Sequence, residues 1–217
     1  MEVTENPIPS QQPLNRKTAF LKLSVFCALA IFMNFLVSNF FINILGIPLF
    51  IDTVFTAAIT FTFGLIPGII VAVLSWLIPS IINMNIHFFI LCGLTEVILI
   101  YALKPRNVNI PIFASKEKII TSYTVIAAKL MILYITCTVT ISILGGIINF
   151  FPQFFLRTHE NYFSIEDTFK HVLIVNNLPA LAVNILSRIP INIVDRFIVI
   201  FGGYFISRGL IKFILKS

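Results

Sequence analysis

The chain has 217 residues, of which 58% are hydrophobic and only 11% charged, with a formal net charge of +6 and a mean hydropathy of +1.00. A soluble domain carries about 25% charged residues. These totals exclude an ordinary water-soluble enzyme, a disordered tail and a nucleic-acid-binding module. At about 20 apolar residues per spanning helix, there is room for roughly five to seven spans and no separate soluble domain. The positive charge then reads as basic residues retained on the cytoplasmic side of a membrane.

Residues 1–17 form a polar tail, and Arg16, Lys17 and Lys22 lead into a first apolar run over 18–45. That run exceeds the apolar region of a signal peptide, so it predicts a retained span. Gly46 and Pro48 break it. A second segment, 49–63, is short for a span and contains Asp52, a predicted cap or interface residue with Thr56 and Thr60 on its face. Gly64 and the Pro67-Gly68 pair make the next turn, and a third segment covers 68–82. Asn83, Asn85 and His87 occupy an outer turn, with His87 expected to be an interfacial side chain, before a fourth segment over 86–103. A basic loop from Lys104 to Lys118 precedes the fifth, 119–151. The stretch 153–187 is an outer amphipathic segment, with Arg157, Glu160, Glu166, Asp167 and Lys170 in its first half. Ser164 and Asp167 there fit a helix-starting capping box, followed by an amphipathic piece over 165–187. The last span covers 190–215.

The reading is an all-α integral membrane protein of the cell membrane: one six-helix domain over 18–217, multi-pass, with both termini cytoplasmic. Ten of the fifteen basic residues, from Arg16, Lys17 and Lys22 through the Lys104–Lys118 loop to Arg208, Lys212 and Lys216, then fall on one side. The three cysteines, Cys27, Cys92 and Cys137, lie inside apolar stretches without metal-ligand spacing and read as small apolar fillers. No H-E-x-x-H, G-x-S-x-G or P-loop lysine occurs. The expectation is a non-enzyme without metal or cofactor, and without a nucleic-acid partner.

Charges inside spans cost about 2.5–3.5 kcal/mol each on insertion scales and usually have a partner or a wet cavity. Asp52, Glu96, Lys129, Asp195 and Arg196 are such residues, with Arg188 at an edge. Glu96 lies eight residues before Lys104 and Lys129 ten after Ile119. If the fourth and fifth helices are antiparallel neighbours entering at those points, Glu96 and Lys129 meet. They do so either as a structural pair or facing a substrate. Lys129, Thr136 and Thr140 share a helix face. Asn177, Asn184, Arg188, Asn192 and Asp195 recur at helical spacing, interrupted by Pro179 and Pro190. A solvated outer face accounts for the first three; Asn192, Asp195 and Arg196 enter the apolar span and are candidates for lining a site. In the first span, Ser24 and Ala28 form a small-x-x-x-small pair that admits a close helix.

The run PLFIDTVFTAA from Pro48, followed by GLIPGIIVA from Gly64, resembles the second and third helices of S components, the substrate-binding subunits of energy-coupling factor (ECF) vitamin transporters. The run IPINIVDR from Ile189, with Gly202, Gly203 and Tyr204 after it, resembles the family's last helix. Where the family's first helix carries Ala-x-x-x-Ala, this chain has Ser24 and Ala28. The resemblance implies capture of a vitamin-like small molecule from outside by helices four to six. It also implies docking on a T-component membrane scaffold driven by two separate ATPase subunits. On that reading Glu96, Lys129, Asn192, Asp195 and Arg196 contact substrate, and Ser24 and Ala28 contact the scaffold. The competing reading is a multi-pass membrane sensor or scaffold that binds a partner rather than transporting a ligand.

Overall fold

A backbone in hydrocarbon must satisfy its own N–H and C=O groups, and a helix does so within one segment. In the computed structural model, which describes residues 16–41, 51–82, 88–105, 116–155 and 165–216, every regular element is helical. In order these are α1 (Arg16–Asn39), a 3-10 turn (Ile51–Thr53), α2 (Val54–Phe63), α3 (Leu65–Ile82), α4 (Ile90–Leu103) and α5 (Lys116–Phe155). There follow α6 (Ile165–Val175), α7 (Ala180–Leu186), α8 (Ile189–Phe197), a π-helical turn (Ile198–Gly202) and α9 (Gly203–Lys216). The tail up to residue 15, the outer turn with Asn83, Asn85 and His87, and the Ser164 end of the expected capping box lie outside the described residues, as does the Asp52 side chain.

Three helical runs, Phe20–Asn39, Ile120–Phe151 and Ala180–Ile214, are long and apolar enough to cross a membrane. They mark the chain as a membrane protein. Its exterior agrees: Phe20, Leu21, Phe32, Ile66, Ile81, Ile132 and Phe205 are all exposed. A water-soluble monomer rarely exposes contiguous apolar patches beyond a few hundred Å².

The expected second segment is the centre of the fold rather than one more wall of a ring. Helix α2 has only 10 residues, about 15 Å of rise against a hydrocarbon core of about 30 Å. It packs against α1, α3, α4 and α9, and Val54 and Thr56 through Phe61 are buried. A helix that is apolar all round belongs inside. Its threonines stay dry because their hydroxyls donate to their own helix, Thr60 to the Thr56 carbonyl and Thr62 to the Ala58 carbonyl, each at 2.8 Å. Gly64 ends the helix at φ +97°, a conformation open to glycine and strained for other residues. The chain then turns directly into α3, three residues earlier than the hydropathy boundary at Gly68.

Helix α5 has 40 residues, about 60 Å and twice the hydrocarbon thickness. It packs against α4, α7 and α8. Gly146 lets α7 come close, since a Cβ there would stand 2.7 Å from the Ile185 Cα. The expected last span proves to be a broken run. Pro190 opens α8 at a position where its missing N–H costs nothing. The π turn then shifts the helical register before Gly203 packs on Ala57 of α2. Asn177, with φ 55°, ends α6 in a left-handed turn that asparagine tolerates.

Candidate functional site

Where α4, α5, α8 and the turn before α2 meet, the interior becomes polar. Helix α8 is amphipathic in an unusual direction: Ile193, Val194 and Phe197 face outward, whereas Asn192, Asp195 and Arg196 are buried. The guanidinium of Arg196 reaches across to Glu96 of α4, with Nη1 and Oε1 at 2.6 Å. The Asp195 carboxylate stands 3.8 Å from its other terminal nitrogen. Nη1 also makes a long contact, 3.5 Å, to the Thr53 hydroxyl. Exposure is 2% for Glu96, 0% for Asp195 and 3% for Arg196, so water does not screen these charges. One turn earlier, the Asn192 side-chain amide donates to the Ser142 hydroxyl of α5 at 2.9 Å. Arg188, also buried, places its guanidinium 4.7 Å from the centre of the Phe89 ring, a cation–π contact.

These groups enclose a cavity of about 30 Å³ walled by Trp76, Phe89, Cys92, Gly93 and Ile141 beside Glu96, Arg188, Asn192 and Arg196. It has room for one or two water molecules at most. Gly93 makes part of that wall possible, because a Cβ there would stand 3.2 Å from the Trp76 indole nitrogen. Two guanidinium groups, one carboxylate and one amide thus converge beside an indole and a phenyl ring, with the Asp195 carboxylate next to Arg196. Such a set can bind a zwitterion, or an aromatic molecule carrying an anionic group, through bidentate Arg contacts. Among the described residues no group of three or more His, Cys, Asp and Glu stands close enough to hold a metal.

Four of the five expected substrate contacts, Glu96, Asn192, Asp195 and Arg196, are brought together. Lys129 is not. Lys129 is exposed and lies beside Leu103 and Lys104 at the end of α4, while Cys92 and Gly93 lie beside Ile141. Glu96 is therefore level with Cys137, eight residues farther along α5, which is about 12 Å from Lys129. The expected Glu96–Lys129 meeting took α5 to enter at Ile119, whereas its N-terminal part runs beyond the end of α4. The packed face of α5 carries buried Leu130, Leu133, Cys137 and Ile141, and not Lys129, Thr136 and Thr140.

The polar stripe is also more deeply placed than a solvated face would be. Only Asn177 is exposed; Asn184 and Arg188 are buried, and the Asn184 amide donates to the Ala180 carbonyl at 3.0 Å. Ser24 and Ala28 lie on an exposed face of α1. A second polar node lies on α1. Asn34 of α1, 1% exposed, donates to the hydroxyls of Thr56 at 2.9 Å and Ser75 at 3.0 Å. Its carbonyl accepts from the Phe55 amide at 3.3 Å. A lone amide in an otherwise apolar span is the signal that points to it. Thr53 and Ser142 carried no such signal, since hydroxyl residues are common in spans.

Comparison with protein-family models, curated proteins and solved structures returns no match.

Proposed function

We propose that the protein is the substrate-specificity subunit of an ECF-type importer, capturing a vitamin-like small molecule at the outer side of the cell membrane. The observation that carries this reading is the buried constellation of Glu96, Arg196, Asp195, Asn192 and Arg188, walled by Trp76 and Phe89. Charges held inside a membrane protein normally serve a pathway, a relay or a ligand. The motif runs starting at Pro48, Gly64 and Ile189 give the reading its family. On this reading the chain crosses six times with both termini cytoplasmic and hydrolyses nothing itself. It docks through α1, around Ser24 and Ala28, on a T-component scaffold energised by two ATPases.

A cavity of about 30 Å³ is the closed state of such a site. Vitamin-sized ligands need roughly 300 Å³ or more, so binding requires the outer elements to move. Helices α6 and α7, together with the Phe89 turn, carry that motion in this proposal. Cation–π contact between Arg188 and Phe89 is then broken or re-formed on the ligand.

The experiment is native mass spectrometry and calorimetry of the purified protein against a panel of water-soluble vitamins. One ligand should bind at a single site, and Asn192→Ala and Arg188→Gln should weaken it at least about tenfold, the loss expected for a buried polar contact. Folded protein that binds nothing across the panel, with nothing co-purified, sinks the proposal.

A further inference from the structure

A second site is written on the outside of the molecule, and it does not depend on the importer reading. Between the C-terminal end of α4 and α5 lies a groove of about 340 Å³, lined by Ala102, Leu103, Lys104, Lys129 and Ile132. We propose that this groove binds an anionic phospholipid, its phosphate between Lys104 and Lys129 and its acyl chain along Leu103 and Ile132.

Lys129 motivates the assignment. It is an exposed ammonium inside the Ile120–Phe151 run, which is long and apolar enough to cross a membrane. A lysine there is tolerated where its charge reaches the headgroup layer or a fixed anion. The internal partner expected for it, Glu96, is taken by Arg196. Among the described residues, no acidic side chain lines the groove. In the sequence no Asp or Glu occurs between Glu96 and Glu117, whereas Lys104, Arg106 and Lys116 do. Excess positive charge next to a membrane span attracts anionic lipid, and basic pockets between helices hold phosphate headgroups.

Lys104 is pre-positioned for that role. Its ammonium lies 5.2 Å from the centre of the Tyr101 ring and makes a long contact of 3.5 Å to the Thr60 carbonyl, leaving donors for another acceptor. Partial burial lowers its pKa from the ordinary lysine value, a desolvation cost that a bound phosphate offsets. The groove is also lined by exposed Leu103 and Ile132. An occupant therefore needs an anionic head and an apolar tail in one molecule, which a phospholipid has and free phosphate lacks.

The test is native mass spectrometry of the protein released from vesicles of equal phosphatidylglycerol and phosphatidylcholine with matched acyl chains. At about a fivefold gain per lysine near the headgroups, wild type should retain phosphatidylglycerol roughly 30-fold over phosphatidylcholine. Lys129→Gln should cut this to about fivefold, Lys129→Arg should keep it, and Lys104→Gln/Lys129→Gln should abolish it. Melting in phosphatidylcholine alone should be unchanged for Lys129→Gln, whose side chain is exposed. Three outcomes overturn the proposal: an unchanged preference in folded Lys129→Gln; an equal loss in Lys212→Gln, an exposed lysine outside the groove; or displacement of the lipid by inorganic phosphate.

Discussion

Arg196 is the residue on which the interior depends. It is the shared cation of Glu96 and Asp195, and all three are almost fully buried. Taking charges out of water costs several kcal/mol per ion, so such a group is stable only while complete. Arg196→Met strands two carboxylates and should destabilise the protein by about 3–5 kcal/mol. Arg196→Lys keeps the charge but not the planar fork, and should fall between. The check is thermal unfolding in one detergent, where Arg196→Met melting with wild type would remove the network from the account of stability. Sequence alone showed that Arg196, Asp195 and Glu96 were costly residues needing partners. Which partner each takes was not legible, because pairing depends on how far two helices slide past one another. An offset of eight residues along α5 exchanged Lys129 for Arg196.

At the scale of elements, the bundle is held by glycines that let helices touch. A Cβ on Gly203 would stand 2.7 Å from the Ala57 Cβ and 3.2 Å from the Val54 carbonyl oxygen, so α9 would have to move off α2. Gly209, six residues on, has nothing within 4 Å of such a Cβ. Gly203→Val should therefore cost about 1–3 kcal/mol through overpacking. Gly209→Ala should be neutral or stabilise by up to about 1 kcal/mol through helix propensity. Equal melting temperatures for the two variants would contradict close α2–α9 packing. Hydropathy located α1, α3, α4 and α5 to within a few residues at most ends, because long apolar runs bounded by Gly, Pro and Lys are strong signals. It placed α2 as a short doubtful span and missed its central position. A ten-residue apolar helix reads the same whether it crosses, dips or lies in the core. The breaks before α7 and α8 followed from Pro179 and Pro190, while the π turn at Ile198–Gly202 has no separate sequence signature.

For the whole molecule, the apolar exterior and the polar interior invert the arrangement of a soluble protein. Exposed Phe20, Phe32, Ile132 and Phe205 are matched to lipid, whereas Asn34, Glu96, Asn192, Asp195 and Arg196 tie the helices together inside. The proposed six-span arrangement is tested by single cysteines at Ser10 and Ser217 in a chain whose Cys27, Cys92 and Cys137 are replaced by Ala. In intact cells, a membrane-impermeant maleimide should label neither, and both should label after permeabilisation. Labelling of just one in intact cells would mean an odd number of crossings. Composition by itself determined that this chain belongs in a bilayer and that a handful of charges inside it need partners, because transfer free energies are additive along a sequence. The tertiary structure alone decided that α2 is the centre, that Arg196 rather than Lys129 answers Glu96, and that Lys129 faces outward beside Lys104. Those outcomes rest on helix register and close packing, which arise between segments distant in the chain and leave no trace in any one of them.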